Sequence, residues 1–171
     1  MNESQSVRHP FPPLYDENSK VLILGSFPSV KSREQMFFYG HPQNRFWRVL
    51  AAVFASETPQ TIAEKRRFLL SHGIALWDVI ASCEITGSAD SSIKNVVAND
   101  LSPILAAADI RQIFVNGKTA EKFYRKYTEP MIGRAAICLP STSPANAAWN
   151  MERLIAAWQS VRDAMRADRD I

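Results

Sequence analysis

Side chains able to do chemistry gather in four short segments of the chain. The first runs Gly25-Ser26-Phe27-Pro28-Ser29 and continues to an aromatic cluster, Phe37-Phe38-Tyr39, followed by His41-Pro42-Gln43-Asn44. The second holds Asp78, then Cys83-Glu84 and Gly87-Ser88-Ala89-Asp90. The third is Asn116-Gly117-Lys118, and the fourth is Ser141-Thr142-Ser143-Pro144-Ala145-Asn146. The first segment is no nucleophile elbow, because the G-x-S-x-G spacing fails. It is no phosphate loop either, because it has one glycine and no Gly-Lys-Ser/Thr after it. Its aromatics either fold under as a satellite core or stack on a flat ligand such as a base. Asn44 either N-caps the helix that follows or offers its amide to a ligand. Asp78 is a candidate base or hydrogen-bonding group, or simply one more residue of a solvated loop. The hydroxyl-rich fourth segment leads into a helix, and backbone amides there suit a phosphate. No Ser/His/Asp set follows from chain order, and no Cys/His pair is adjacent. Cys83 and Cys138 lack metal-type spacing, and with only three histidines neither a zinc site nor an iron–sulfur cluster is expected. His72, near a helix carboxyl end, reads as a dipole partner.

These segments need elements to hold them. Lys20-Val21-Leu22-Ile23-Leu24 is a short apolar, β-branched run that stops at Gly25, as a buried parallel strand does. Ile74-Ala75-Leu76-Trp77, Gln112-Ile113-Phe114-Val115 and Ala136-Ile137-Cys138-Leu139 read as three more strands. Helices are expected over 44–54, from Thr58-Pro59 to His72, from Ser102 to about Ala108, from Asn116-Gly117 to about Tyr127, and from Met151 to Met165 with Leu154, Ile155, Trp158 and Val161 on one face. Residues 25–43 and 78–100 show no clear period and read as long loops. Residues 1–18, polar and carrying Pro10, Pro12 and Pro13, read as an arm lying over the domain. Strands alternating with helices predict an α/β fold, a three-layer α/β/α arrangement with a short central parallel sheet of about four strands. Such sheets place ligands beyond the carboxyl ends of their strands, where all four segments fall.

At 171 residues the chain has the size of one domain, expected to span 1–171. Apolar residues at 46% and charged residues at 22% are ordinary globular usage, which argues against disorder and fibres. No stretch reaches the ~20 apolar residues of a membrane helix, and the first residues carry no apolar signal region. A cytoplasmic protein with reduced cysteines is expected. The net charge of +3 permits an anionic partner without demonstrating one. The residues alone describe a small, mildly basic α/β domain with an aromatic pocket bearing an asparagine, loosely fitting a nucleotide- or base-binding enzyme.

The stretch Gly25-Ser26-Phe27-Pro28-Ser29 … Phe38-Tyr39-Gly40-His41-Pro42-Gln43-Asn44-Arg45-Phe46-Trp47 resembles the uracil-DNA glycosylase superfamily, and within it the mismatch-specific branch. That branch has a G-x-N-P-G loop followed by an aromatic and H-P-x-N-R-F-W. The agreement continues through Asn116-Gly117-Lys118 and ends at residues 141–146, where the family has its second motif, the loop that enters the minor groove. The order of elements agrees over about residues 20–167. Two places depart. Many members carry Asn or Asp at the third place of the first motif, to position the attacking water; here it is Phe27. The second motif often starts with His or Asn and carries a Leu wedge; Ser141 and Ala145 stand there. The chain looks most like the hypoxanthine-DNA glycosylase group, which also lacks the first-motif amide and keeps the asparagine before Phe-Trp.

The resemblance implies a monofunctional DNA glycosylase of base-excision repair, acting on hypoxanthine or uracil after base flipping. It implies double- or single-stranded DNA with a deaminated base as partner, a monomer, and no metal, cofactor or membrane. Asn44 is the implied catalytic residue, orienting water through its amide, with Asp78 assisting the water or reading the base edge. Tyr39 aligns with the stacking aromatic and Phe27 with the opposite wall. Gly25, Ser26 and Phe27 offer backbone donors to the base, with Asn116 nearby. Lys118, Ser141, Thr142, Ser143, Ala145 and Asn146 are the implied DNA contacts. Two readings of other classes remain open on the same fold: a non-catalytic nucleic-acid or nucleobase-binding protein, and an enzyme acting on a free nucleoside.

Overall fold

A computed structural model describes residues 3–166; residues 1, 2 and 167–171 of the expected domain lie outside the described residues. The centre of the molecule is Val21–Gly25 (β2), whose Val21, Leu22, Ile23 and Leu24 are wholly buried. A strand apolar at every position has two faces to cover, and parallel neighbours with helices around them do so. Ile74–Asp78 (β3) runs parallel to it on one side and Gln112–Asn116 (β6) on the other, with Ile137–Leu139 (β7) beyond β6. The sheet order is β3-β2-β6-β7, all parallel, as the sequence predicted. The register sets Gly25 against Asp78 and Asn116 against Leu139, so the strand exits open on one edge of the sheet.

Helices Val30–Gln35 (α1), Phe46–Val53 (α2), Ile62–Ser71 (α3), Ser102–Ala107 (α4), Lys118–Phe123 (α5), Glu129–Ile132 (α6) and Met151–Arg166 (α7) surround the sheet. The amphipathic α7 lays Leu154, Trp158 and Val161 inward, with Trp158 edge-on to Phe46 of α2 at 5.8 Å. The Trp158 indole N–H donates to the Pro140 carbonyl at 2.9 Å, which ties the last strand's exit to this helix. Among the described residues no helix is long and apolar enough to cross a membrane.

Five expectations are corrected. Residues 78–100 are not irregular: Ile80–Ile85 (β4) and Lys94–Ala98 (β5) form an antiparallel pair. The arm is not merely laid over the domain, because Gln5–Arg8 (β1) pairs antiparallel with β4, giving a second sheet in the order β1-β4-β5. The loop over 25–43 contains α1. The helix expected from Thr58-Pro59 starts later, because Thr61 and Glu64 form a capping box: the Thr61 hydroxyl accepts from the Glu64 amide at 3.0 Å, and the Glu64 carboxylate accepts from the Thr61 amide. The helix expected to run to Tyr127 leaves the α form after Phe123 and widens into a π turn over Tyr124–Thr128. His72 caps α3, with Nδ1 2.7 Å from the Phe68 carbonyl, in keeping with a structural role.

Candidate active site

The exits of β2, β3, β6 and β7 enclose a cavity of about 420 Å³, a size suited to a small-molecule ligand. Its lining includes Gly25, Ser26, Phe27, Tyr39, Asn44, Asp78, Asn116 and residues 141–145. The structure thus brings together nearly every residue singled out in the sequence. Two close approaches depend on glycine. A Cβ on Gly25 would lie 2.5 Å from Asp78 Oδ1 and 3.1 Å from the Tyr39 hydroxyl, so only glycine lets both polar groups reach the strand end. Gly117, at φ +93°, adopts a backbone that L side chains resist, and a Cβ there would press on Ser141 at 2.9 Å.

One side of the cavity is a connected polar network. Asn44 Oδ1 accepts from the Phe46 amide at 2.9 Å and from the Thr142 hydroxyl at 2.9 Å. The first bond starts α2, so Asn44 does serve the helix end; the second ties it to the distant loop. Asn116 holds Thr142 twice, donating to its hydroxyl at 3.0 Å and accepting from its amide at 3.1 Å. The Thr142 carbonyl accepts from the Arg45 amide at 3.0 Å. The Arg45 guanidinium then donates to the carbonyls of Ser143, Asn146 and Trp149. Thr142, expected to contact DNA, is fully buried with every polar atom engaged within the protein, which makes it the hub of this network. Asn44 is corrected too. Its carbonyl oxygen already takes two donors, so that end is not left to accept from a water; only the NH2 end remains for a ligand.

The other side is aromatic, with few polar partners. His9 Nε2 lies 2.7 Å from Asp78 Oδ2, with side chains 2% and 6% exposed. Around the imidazole stand Trp77 at 4.4 Å, Phe11 at 4.5 Å, Phe27 at 6.0 Å and Phe38 at 6.3 Å. His9 Nδ1 and the Tyr39 hydroxyl are buried without hydrogen-bond partners. Burial, and then the nearby Asp78 carboxylate, push the Tyr39 phenol well above its usual range, so it stays protonated; Asn116 opposes the shift. The Tyr39 ring stacks on Phe46 at 4.0 Å and 16°, which leaves only its opposite face for a base. Its backbone is left-handed at φ 51° and is anchored by the Trp47 indole N–H, which donates to the Tyr39 carbonyl at 3.2 Å. A non-glycine residue held in this region at a cavity wall is a strained position kept by its surroundings.

The segment 141–146 leaves the cavity toward the surface. Its turns are fixed from within: the Ser143 amide donates to the Ser141 hydroxyl, the Ala145 amide to the Ser143 hydroxyl, and the Asn146 side chain to the Ser141 carbonyl. Pro144 and Ala145 form its exposed tip. Beyond it lies a second, more open hollow lined by Lys118, Asn146 and Trp149. Arg153 stacks over the Trp149 ring at 4.1 Å.

The family model for the Uracil DNA glycosylase superfamily matches residues 12–162. The chain belongs to the uracil-DNA glycosylase superfamily. It is 34% identical over 160 residues to a hypoxanthine DNA glycosylase of Methanosarcina acetivorans, covering 91% of this chain and 98% of that protein. It is 34% identical over 142 residues to a hypoxanthine DNA glycosylase of Methanosarcina barkeri, covering 80% and 86%. A solution NMR structure assigned to a uracil DNA glycosylase of Methanosarcina acetivorans superposes with a TM-score of 0.76 at 30% identity, covering 92% of this chain and 99% of that one. In this superfamily member the third place of the first loop is filled by a ring, not an amide: Phe27 stands edge-on to His9, with the Arg33 guanidinium 5.6 Å from its centroid. Sequence reasoning missed two participants. Arg45 was visible within the Asn-Arg-Phe-Trp stretch, but nothing local shows that it holds a loop about a hundred residues away. His9 sits in a polar, proline-bearing segment and gives no signal until β1 pairs with β4.

Proposed function

We propose that this protein is a monofunctional DNA glycosylase of base-excision repair, hydrolysing the N-glycosidic bond of a flipped hypoxanthine and, secondarily, of uracil. The observation that carries the site assignment is the division of labour around the cavity: a spent Asn44 carbonyl facing an Asp78 carboxylate with one hydrogen-bonded oxygen. A base inside the stack shields its C1′–N bond, so it must be extruded into such a cavity. There it stacks on the free face of Tyr39, against Phe27. As the C1′–N bond breaks, its electron pair leaves with the base, and the sugar gains oxocarbenium character. The Asn44 NH2 group and the backbone N–H groups of Ser26 and Phe27 donate to the base and stabilise that developing anion. Water adds its oxygen to C1′. Its proton passes to the Asp78 carboxylate and then to the released base, which leaves an abasic sugar and a neutral base. Lys118 and the Ser141, Ser143, Ala145 and Asn146 surface follow the DNA, with Thr142 fixing their backbone from beneath. No step needs a Schiff base or a metal.

A panel of duplexes containing hypoxanthine, uracil or undamaged bases, read as alkali-labile abasic sites, tests this. Cleavage of the hypoxanthine duplex, unchanged by EDTA, is expected. Tight binding of all duplexes alike with no abasic product would overturn the enzyme reading in favour of a nucleic-acid-binding protein on the same fold.

A further inference from the structure

His9 lies outside the residues 12–162 that the superfamily model matches, and the reaction above does not use it. Yet among the described residues it is the one hydrogen-bond donor to the Asp78 carboxylate, at 2.7 Å and across 69 positions of sequence. Its place is built. The His9 amide donates to the Ala81 carbonyl at 2.7 Å, and Arg8 pairs with Ser82 in the β1–β4 register. Four rings stand around the imidazole. We infer that His9 is a positioning residue for Asp78: it fixes Oδ2 from behind, leaves Oδ1 on the Gly25 and Tyr39 side where the cavity lies, and so ties the segment that follows β1 to the site.

The physical case is one of charge in a dry place. A buried carboxylate without a partner takes up a proton, because burial disfavours its charged form. A protonated carboxyl cannot accept a proton from water. An Nε2–H on His9 can donate to Oδ2 at 2.7 Å and so hold the carboxylate in one orientation. The titratable groups that face Asp78 are His9, the residue after β1, and Tyr39 from the loop before α2, with His41 and Asp90 further round the cavity. Tyr39 is held protonated, so it supplies no negative charge. The first-loop amide missing at Phe27 is thus replaced by a carboxylate one strand over, held by the residue that follows a strand of the other sheet.

The inference rests on Asp78 accepting the water's proton, and the experiment separates the two. Single-turnover cleavage of a hypoxanthine duplex and affinity for the same duplex are measured for His9→Leu, His9→Gln and Asp78→Asn. His9→Leu is expected to lower the rate by ~10²-fold with unchanged affinity. His9→Gln, whose amide still donates, is expected to stay within ~10-fold of the parent. A folded His9→Leu protein that keeps the parent rate, or a His9→Gln protein that falls as far as His9→Leu, overturns the inference while a dead Asp78→Asn leaves the Asp78 assignment standing. Asp78→Asn at the parent rate overturns both. The parent protein gives a reading independent of any variant's folding: ¹⁵N-resolved histidine spectra should show His9 protonated at Nε2 with a slowly exchanging, hydrogen-bonded proton, and a bare Nε2 overturns the inference.

Discussion

The two sides of the cavity handle polar groups in opposite ways. On the Asn44 side, the Asn44 carbonyl, every polar atom of Thr142 and both ends of the Asn116 amide are hydrogen-bonded within the protein. On the Asp78 side, one strong hydrogen bond stands among rings, with an unpartnered imidazole nitrogen and an unpartnered phenol beside it. A satisfied network in a low-dielectric place is stiff, and it fixes whatever it carries. Unsatisfied groups cost about 1–3 kcal/mol each when buried and keep bonding capacity in reserve. On the proposed reading, the first side sets geometry and the second does chemistry. The exceptions on each side are the informative part: the free NH2 of Asn44 and the unpartnered Nε of Arg45 on the first side, and the His9 brace on the second.

The contrast breaks most visibly at Asp78. Asp78→Asn keeps the shape and an acceptor for His9 but removes the proton acceptor, so the single-turnover rate should fall by ~10³-fold with duplex affinity retained. A fall of less than tenfold would move the chemistry to the other side. Next comes Asn44→Asp. Its carboxylate still accepts from Phe46 and Thr142, so melting should shift little, whereas the lost NH2 donor and the added charge facing a developing anion should cost ~10²-fold in rate. A large stability loss with an unchanged rate would make Asn44 a helix cap and nothing more. Thr142→Val removes the hub hydroxyl, takes one of the two donors from the Asn44 carbonyl and takes the acceptor from the Asn116 NH2. Denaturant unfolding should show a loss of about 1–3 kcal/mol, with a smaller drop in rate, because the network acts through geometry. The smallest effect belongs to Tyr39→Phe. Deleting a buried, unpartnered hydroxyl should leave the rate nearly unchanged and stability equal or higher by about 1 kcal/mol. A tenfold rate loss there would show that the phenol's reserve capacity is spent on the substrate.

The parallel sheet was legible in the sequence because runs such as Val21-Leu22-Ile23-Leu24 are buried on both faces and carry a strong local signal. The four strand exits followed from it, and with them most cavity residues. The second sheet was not legible. β1, Gln-Ser-Val-Arg, and β5, Lys-Asn-Val-Val-Ala, are largely exposed, so neither has an apolar pattern to reveal it. They are strands because β4 lies between them, which is a property of pairing across the fold. The same reason hid His9. Asn44 shows a finer limit: sequence offered a cap or a site residue as alternatives, and the structure uses the carbonyl for the helix and the hub at once, leaving the other end of the amide open. Which atoms of a side chain are already taken is decided by partners far along the chain.

Arg45 grips the carbonyls of Ser143, Asn146 and Trp149, and so the shape of the surface loop is dictated from beneath through main-chain groups. Backbone carbonyls are the same whatever residue carries them. The exposed tip at Pro144 and Ala145 is therefore free to vary without loosening its own support. That makes the loop a module: the side chains at its tip can change over generations, or at the bench, while the main chain beneath keeps its grip.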